Sequence, residues 1–504
     1  MKRISILIGL AAMIAASCND AKKEQKTKPN ILVIYIDDLG YGDLSCYGAT
    51  AVQTPHVDAL AKGGMKFTDA HCSASTCTPS RYALLTGSYA FRSKAAILPG
   101  DAPLIIHPGQ ATLPSMLKDA GYVTGVIGKW HLGLGDGKPD WNTSIKPGPG
   151  EIGFDYSFLI PATPDRVPTV YVENSRVVNL DLKDPITIDY AHRVGNDPIG
   201  LEHPEMLKMQ ADSQHSGTIV NGISRIGFMK GGHQAYWRDE DFATVLNDQV
   251  TSFITQNKDK PFFLYYSLPS IHVPRSPNAK FVGATDMGPR GDDIVQMDWM
   301  TGEVMKTLKN LGLEANTLVI FSSDNGPVLN DGYADQAVQR LGDHRPAGIY
   351  KGGKYSAYEG GTRVPTITFW PGEIKQGESN ALISQVDLFA SLAQLVGQEV
   401  EPGKTVPDSK NVLPALLGQS MTGRETMVEE SFTMSLRSGN WKYIAPAAGK
   451  TPEWLKNKDV PKGLQATPQL YNLEDDPGET HNLADQYPDE VQRLSGQLKE
   501  IMEE

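Results

Sequence analysis

The chain has 504 residues, of which 40% are hydrophobic and 21% charged, with a formal net charge of -12 and four cysteines. That length and apolar content allow a large buried core and about three domains at most. The acidic balance excludes a general nucleic-acid binder, so an anionic ligand must be met by a local basic pocket and not by the field of the whole protein. Four cysteines in such a length exclude a disulfide-built scaffold.

Lys2 and Arg3 precede an apolar run from Ile4 to Ala16. The run is too short to cross a membrane as a mature helix, and residues 1–17 read as an export signal. Ala15-Ala16-Ser17-Cys18 resembles a bacterial lipobox, which implies lipidation of Cys18, with 18–28 as a polar tether. Plain cleavage, giving a soluble periplasmic protein, is the alternative. Either way the expectation is an exported protein, periplasmic or anchored at the outer membrane, whose only membrane contact is a lipid. Cys46 and Cys72 are left to pair or to remain buried thiols.

Ile31 to Ile36 is a continuous apolar run, as in a strand buried on both faces of a parallel sheet, and it ends in Asp37-Asp38. Ligands in α/β folds sit beyond strand C-termini, and two adjacent carboxylates repel unless a cation lies between them. A helix starts at Thr54-Pro55, with His56 on its surface. In Cys77-Thr78-Pro79-Ser80-Arg81, Pro79 suits a first helical turn, and the helix runs through Thr86 to a Gly87 stop. Cys77 therefore lies at a helix N-terminus, where backbone dipoles favour negative charge, with Arg81 one turn on and able to point back at it.

A helix from Leu113-Pro114 and a strand ending at Gly128 lead to Lys129-Trp130-His131, where extended backbone would place Lys129 and His131 on one face. Residues 136–240 are rich in Pro and Gly. They read as pocket walls, with a hairpin around Asn174 and the pair Asp165-Arg166 after a strand at Phe158–Pro161. Pro261–Leu268 is another buried strand, with His272 just past it. Thr317–Ser323 is a third, closed by Asp324-Asn325-Gly326, which repeats the oxygen-rich strand end of Asp37-Asp38. His344-Arg345 precedes a Gly-rich loop that carries Lys354 close to any anion, and Glu359 and Arg363 form a charge pair that shapes the loop. A helix at Val386–Val396 completes a domain over 29–400. Residues 401–423 connect it to a subdomain at 424–504, an antiparallel meander and a closing helix read as structural or as a pocket rim.

The Cys77–Arg81 string and Gly128-Lys129-Trp130-His131-Leu132-Gly133 resemble the signature motifs of type I sulfatases, in the alkaline phosphatase superfamily. Asp37-Asp38, His272, Asp324-Asn325, Lys354, Leu470–Leu473 and Asp476-Pro477 extend the resemblance over most of the mature chain. It implies an α/β fold: a large, mainly parallel mixed sheet between helices, with a smaller C-terminal α+β part carrying an antiparallel sheet. It also implies oxidation of Cys77 to formylglycine by a separate formylglycine-generating maturase. One calcium would be held by Asp37, Asp38, Asp324 and Asn325 with the modified Cys77, all hard oxygen donors. Arg81, Lys129 and His131 would surround the aldehyde hydrate, and His272 and Lys354 would face the sulfate and its leaving oxygen.

The implied reaction is hydrolysis of a sulfate ester by the aldehyde hydrate, with His272 as proton donor to the departing alcohol and His131 as base for release. The implied partner is a sulfated oligosaccharide cut at a chain end. Asp165, Arg166, His344 and Arg345 would be substrate contacts, leaning to galactose or N-acetylgalactosamine 6-sulfate. Two rivals stand beside this reading. A phosphatase or phosphonate monoester hydrolase of the same superfamily would usually show a second metal's ligands. A non-catalytic sulfoglycan-binding lipoprotein would need Lys129 and Lys354 but not Cys77 with Pro79 and Arg81.

Overall fold

The structure, a computed structural model, describes residues 28–400, 406–447, 449, 452–456, 458 and 460–503. The export signal, Cys18, most of the tether and 401–405 of the expected connection lie outside the described residues. Among them, no helix is long and apolar enough to cross a membrane.

Ten strands form one sheet: β1 (Asn30–Ile36), β2 (Met65–Phe67), β3 (Val123–Lys129), β4 (Tyr156–Ile160), β5 (Val172–Glu173), β6 (Arg176–Val177), β7 (Phe262–Ser267), β8 (Thr317–Ser323), β9 (Thr366–Phe369) and β10 (Gly377–Ser379). Their order is β10-β2-β9-β8-β1-β7-β3-β4-β5-β6. The central five, β8, β1, β7, β3 and β4, are parallel, and antiparallel neighbours flank them on both sides. The apolar runs explain this: Ile31, Val33 and Tyr35 of β1 enter one hydrophobic cluster, and Leu32, Ile34 and Ile36 enter the other. A strand needs two apolar faces only when helices cover both.

On one face lie α1 (Pro55–Gly63), α4 (Phe242–Gln256) and α5 (Pro289–Asn310). On the other lie α2 (Cys77–Thr86), α3 (Leu113–Asp119) and α6 (Leu388–Val396). The register puts the C-terminal ends of four strands at one level: Ile36 pairs with Ser323, Tyr35 with Ser267, and Ser267 with Gly128. Whatever follows those residues is gathered at a single edge. Gly128 is required there: its φ is +107°, and a Cβ would stand 1.9 Å from the Ser267 carbonyl oxygen.

Beyond the main sheet, β11 (Thr426–Glu430), β12 (Met434–Ser438), β13 (Trp441–Ile444) and β14 (Gln469–Asn472) form an antiparallel meander under α7 (Pro488–Glu503). It abuts the segment before Cys77: Ser75 N–H donates to the Glu430 carbonyl, and Glu430 N–H to that of Ser73. The charge pair expected between Glu359 and Arg363 is present at 2.7 Å, but it is one edge of a larger buried network. Glu359 also meets Arg437 of β12 at 3.0 Å and Lys442 of β13 at 2.9 Å, which ties its segment to the meander. Removing a fully buried partner strands the others, at a cost of about 3–5 kcal/mol. Glu359→Gln should therefore lower the melting temperature by several degrees, read by thermal denaturation, whereas a comparable change at exposed Glu453 should not move it.

Cys46 and Cys72 are both free thiols. Cys72 is buried against the carbonyls of Ala74 and Thr362. Strands of two or three residues lie between 187 and 230, within the segment expected to form pocket walls; so short a pairing leaves no periodicity in the sequence.

Candidate active site

Asp37-Asp38 follow β1, Lys129 ends β3, His272 follows β7 and Asp324-Asn325 follow β8. Cys77 opens α2 across from them, and Lys354 arrives on its loop. The predicted catalytic and metal residues are all less than a tenth exposed. Arg81, expected to face Cys77, instead gives Nε and Nη2 to Asp324 Oδ2 at 2.9 and 2.6 Å, and Nη1 to Ser267. Its role in the geometry is to hold a carboxylate.

Lys129 Nζ lies 2.5 Å from Asp37 Oδ2, and Lys354 Nζ lies 2.9 Å from Asp38 Oδ2 and 3.2 Å from Asp331 Oδ2. Burial pushes the Asp37 carboxyl well above its ordinary value, against the pull of Lys129. Burial also acts to raise Asp324, but Arg81, Lys129 and Lys354 overcome it and hold the group below the usual carboxylate value. The Lys354 ammonium, in spite of burial, is held well above its ordinary value by Asp38, Tyr355 and Asp331.

At the strand ends Asp37, Asp38 and Asp324 thus face Arg81, Lys129 and Lys354, with Asp331 as a further partner of Lys354, yet two oxygens stay unused. Asp37 Oδ1 and Asn325 Oδ1 are buried without a hydrogen-bond partner, while Asn325 Nδ2 donates to Asp38 Oδ1 at 2.7 Å. Orphaned buried acceptors are costly unless a cation meets them. These carboxylate and carboxamide oxygens suit a hard divalent ion. Asp37, Asp38 and His272 also place one donor atom each within 4.8 Å of one another.

The two histidines have assigned tautomers by elimination, since a carbonyl can only accept. His131 Nε2–H donates to the Leu98 carbonyl at 2.9 Å, which leaves Nδ1 bare and 3.2 Å from Cys77 Sγ. Burial, with Lys129 beside it, keeps the ring well below the ordinary histidine value and therefore neutral. His131 has a φ of +54°, so it reaches the site through a left-handed turn and not through strand alternation with Lys129. His272 Nδ1–H donates to the Val273 carbonyl at 2.6 Å, with Nε2 3.9 Å from Asp38 Oδ2. Burial and the nearby Lys354 lower its pKa to about 4. Burial pushes the Cys77 thiol up, opposed by Lys129 and Lys354.

A cavity of about 170 Å³ opens over Cys77, His272 and Lys354. Asp165 and Arg166 line it, joined at 2.9 Å. His344 and Arg345 do not; they line a separate cavity. His344 Nε2 lies 2.8 Å from Asp43 Oδ1, a carboxylate clamped by Arg290 Nη1 and Nη2 at 2.8 and 2.7 Å, so His344 braces the loop after β1.

The sequence reading misses eight lining residues, of which six are polar or aromatic: Gln214, His215, Asp331, Tyr355, Trp454 and Lys458. His215 Nδ1 lies 2.7 Å from Asp212 Oδ1, and its Nε2 lies 3.4 Å from Asp165 Oδ2. Burial acts to lower its pKa, but the two carboxylates win and raise it above the ordinary 6.5. A raised folded-state pKa adds stability that is complete below the unfolded value and is lost as pH rises through the folded one. The stability gap between wild type and His215→Gln should therefore be widest near pH 5.5 and close as pH rises past the raised value, followed by chemical denaturation across pH.

The sheet, with Asp37-Asp38 and Asp324-Asn325 on its C-terminal edge beside a helix-opening thiol, has the alkaline phosphatase-like fold. Residues 29–398 match the Sulfatase family model, and the chain belongs to that family of sulfuric ester hydrolases. The N-acetylgalactosamine-6-O-sulfatase of Bacteroides thetaiotaomicron is 49% identical to it over 99% of both chains. Human (Homo sapiens) arylsulfatase A is 32% identical over 95% of this chain and 86% of its own. A solved structure from work on the metabolism of multiple glycosaminoglycans by Bacteroides thetaiotaomicron superposes with a TM-score of 0.93 at 50% identity, covering 95% of this chain and 100% of that one. The phosphonate monoester hydrolase of Agrobacterium radiobacter, 19% identical with a TM-score of 0.57 over 94% and 95% of the two chains, shares the fold.

Proposed function

We propose that this sulfatase removes the 6-sulfate of N-acetylgalactosamine, or of galactose, at the end of a sulfated glycan. The observation that carries the substrate reading is the 49% identity, end to end, with an N-acetylgalactosamine-6-O-sulfatase. Cys77 is the residue converted to formylglycine by a maturase. Asp37, Asp38, Asp324 and Asn325 hold calcium, whose positive charge would stabilise negative charge developing on the sulfate. Formylglycine would supply a geminal diol as nucleophile, which a serine or cysteine cannot offer.

The chain's own groups do the rest. Lys129 and Lys354 place two ammonium groups around the sulfate in a dry site, where charge acts strongly. His131 Nδ1, bare and beside position 77, accepts a proton there. His272 presents an unprotonated Nε2 when the site is empty of anion; a bound sulfate raises its proton affinity, so it enters the reaction charged and gives that proton to the departing sugar oxygen. Asp165, Arg166 and His215 hold the hydroxyls of the sugar ring. Export and lipidation at Cys18 would keep the enzyme in the periplasm or on the outer membrane, where extracellular glycan fragments arrive.

The test is sulfate release, by ion chromatography, from N-acetylgalactosamine 6-sulfate, its 4-sulfate and N-acetylglucosamine 6-sulfate. Turnover of the first at about tenfold or more over the others is expected. Equal or greater release from the glucosamine ester would overturn the substrate reading.

A further inference from the structure

We propose that Phe432 and Trp454, backed by Tyr355, form a platform for the second saccharide ring of the substrate, next to the sulfated one. This rests on the glycan reading above. Tyr355 and Trp454 line the same cavity as Cys77 and Lys354. The three rings form one cluster: Tyr355 to Trp454 at 5.4 Å and 73°, Phe432 to Trp454 at 5.9 Å and 65°, and Tyr355 to Phe432 at 6.5 Å and 46°. The cluster grades outward, from Tyr355 at 6% exposure to Phe432 at 36%, in the turn between β11 and β12.

Size forces the second ring outside. The cavity's 170 Å³ is below the roughly 300 Å³ at which pockets for drug-sized ligands begin, too small for two rings, so the chain must leave across the mouth. Lys458, from the same segment as Trp454, lies inside the cavity lining, buried and held 2.6 Å from Asp331 Oδ1, so what the outgoing chain meets at the rim is aromatic. A pyranose presents a face of C–H bonds that packs on aromatic rings and an edge of hydroxyls that seeks polar partners. Tyr355 is pinned from below, its hydroxyl donating to Asp331 Oδ2 at 3.0 Å, so the platform is anchored to the carboxylate that also holds Lys354.

The experiment compares kcat/KM on a 6-sulfated monosaccharide with that on a disaccharide bearing the same sulfated end. In Phe432→Ala and Trp454→Ala the disaccharide-to-monosaccharide ratio should fall about three- to tenfold, and Phe432→Tyr and Trp454→Phe should restore it. Binding of the desulfated disaccharide, by calorimetry, should weaken by a similar factor in Phe432→Ala. A ratio that stays at the wild-type value, or both substrates declining together with the melting temperature, would mean the cluster only latches the helical turn that carries Trp454. Absence of wild-type turnover on galactosamine esters would instead sink the substrate reading; the same ratio is then read on the sulfated sugar the enzyme does accept.

Discussion

Cys77→Ala should abolish sulfate release, by about 10⁴-fold or more in kcat, while leaving the fold in place. The side chain is 2% exposed, but its polar neighbour is His131 Nδ1 at the floor of an open cavity, so truncation removes one sulfur and no structural hydrogen bond to backbone. The cost to stability should be about 1 kcal/mol, since the site opens to solvent instead of trapping a void. Pro79 and the Gly87 stop keep α2 intact without Cys77. Melting temperature and calcium binding, measured beside activity on protein matured in a host that carries the maturase, separate a dead catalyst from a misfolded one. Cys77→Ser is the sharper variant: it restores a hydroxyl at that position but only one, and it should stay as inactive as alanine in multiple turnover. Mass spectrometry of the Cys77 peptide reports whether the wild-type thiol has been replaced by aldehyde. Steady turnover by Cys77→Ala would remove formylglycine from the reading altogether.

The residues at the strand ends were legible because two signals coincide there. An apolar run long enough for a doubly covered strand stops at a residue type that does not belong inside a protein, as at Asp37-Asp38 and Asp324-Asn325. Register then brings them together without further information. What the chain does not show locally is which distant partner a charged residue takes. His344 reads as a pocket histidine until Asp43 and Arg290, from the loop after β1 and the start of α5, are seen to use it. Arg81 likewise turns to Asp324 instead of Cys77. His215, Asp331 and Lys458 sit in segments with no periodicity, and their significance lies in contacts with Asp165 and Lys354 that only the fold creates.

Asp37→Asn should cost about 10³-fold in activity and about 10²-fold in calcium affinity. Asp37 is the hinge of the charge balance: Oδ2 holds Lys129 at 2.5 Å, and Oδ1 is one of the two buried orphan oxygens. With Asp37 as asparagine, Lys129 and Arg81 share Asp324, and the site loses the carboxylate that a divalent ion would meet. The balanced cluster explains why the apo protein should remain folded, since each lysine has a carboxylate to rest on. It also explains why bound metal would leave an excess of positive charge suited to an anionic ester. The readout independent of turnover is thermal: at a hundredfold excess of calcium over Kd, the wild type should gain about 2.7 kcal/mol, seen as a rise in Tm that chelation reverses. Asp37→Asn should show little of that rise at the same calcium concentration. If the two proteins respond to calcium alike, the orphaned oxygen of Asp37 is not a metal ligand, and the paired lysines alone would have to carry the sulfate.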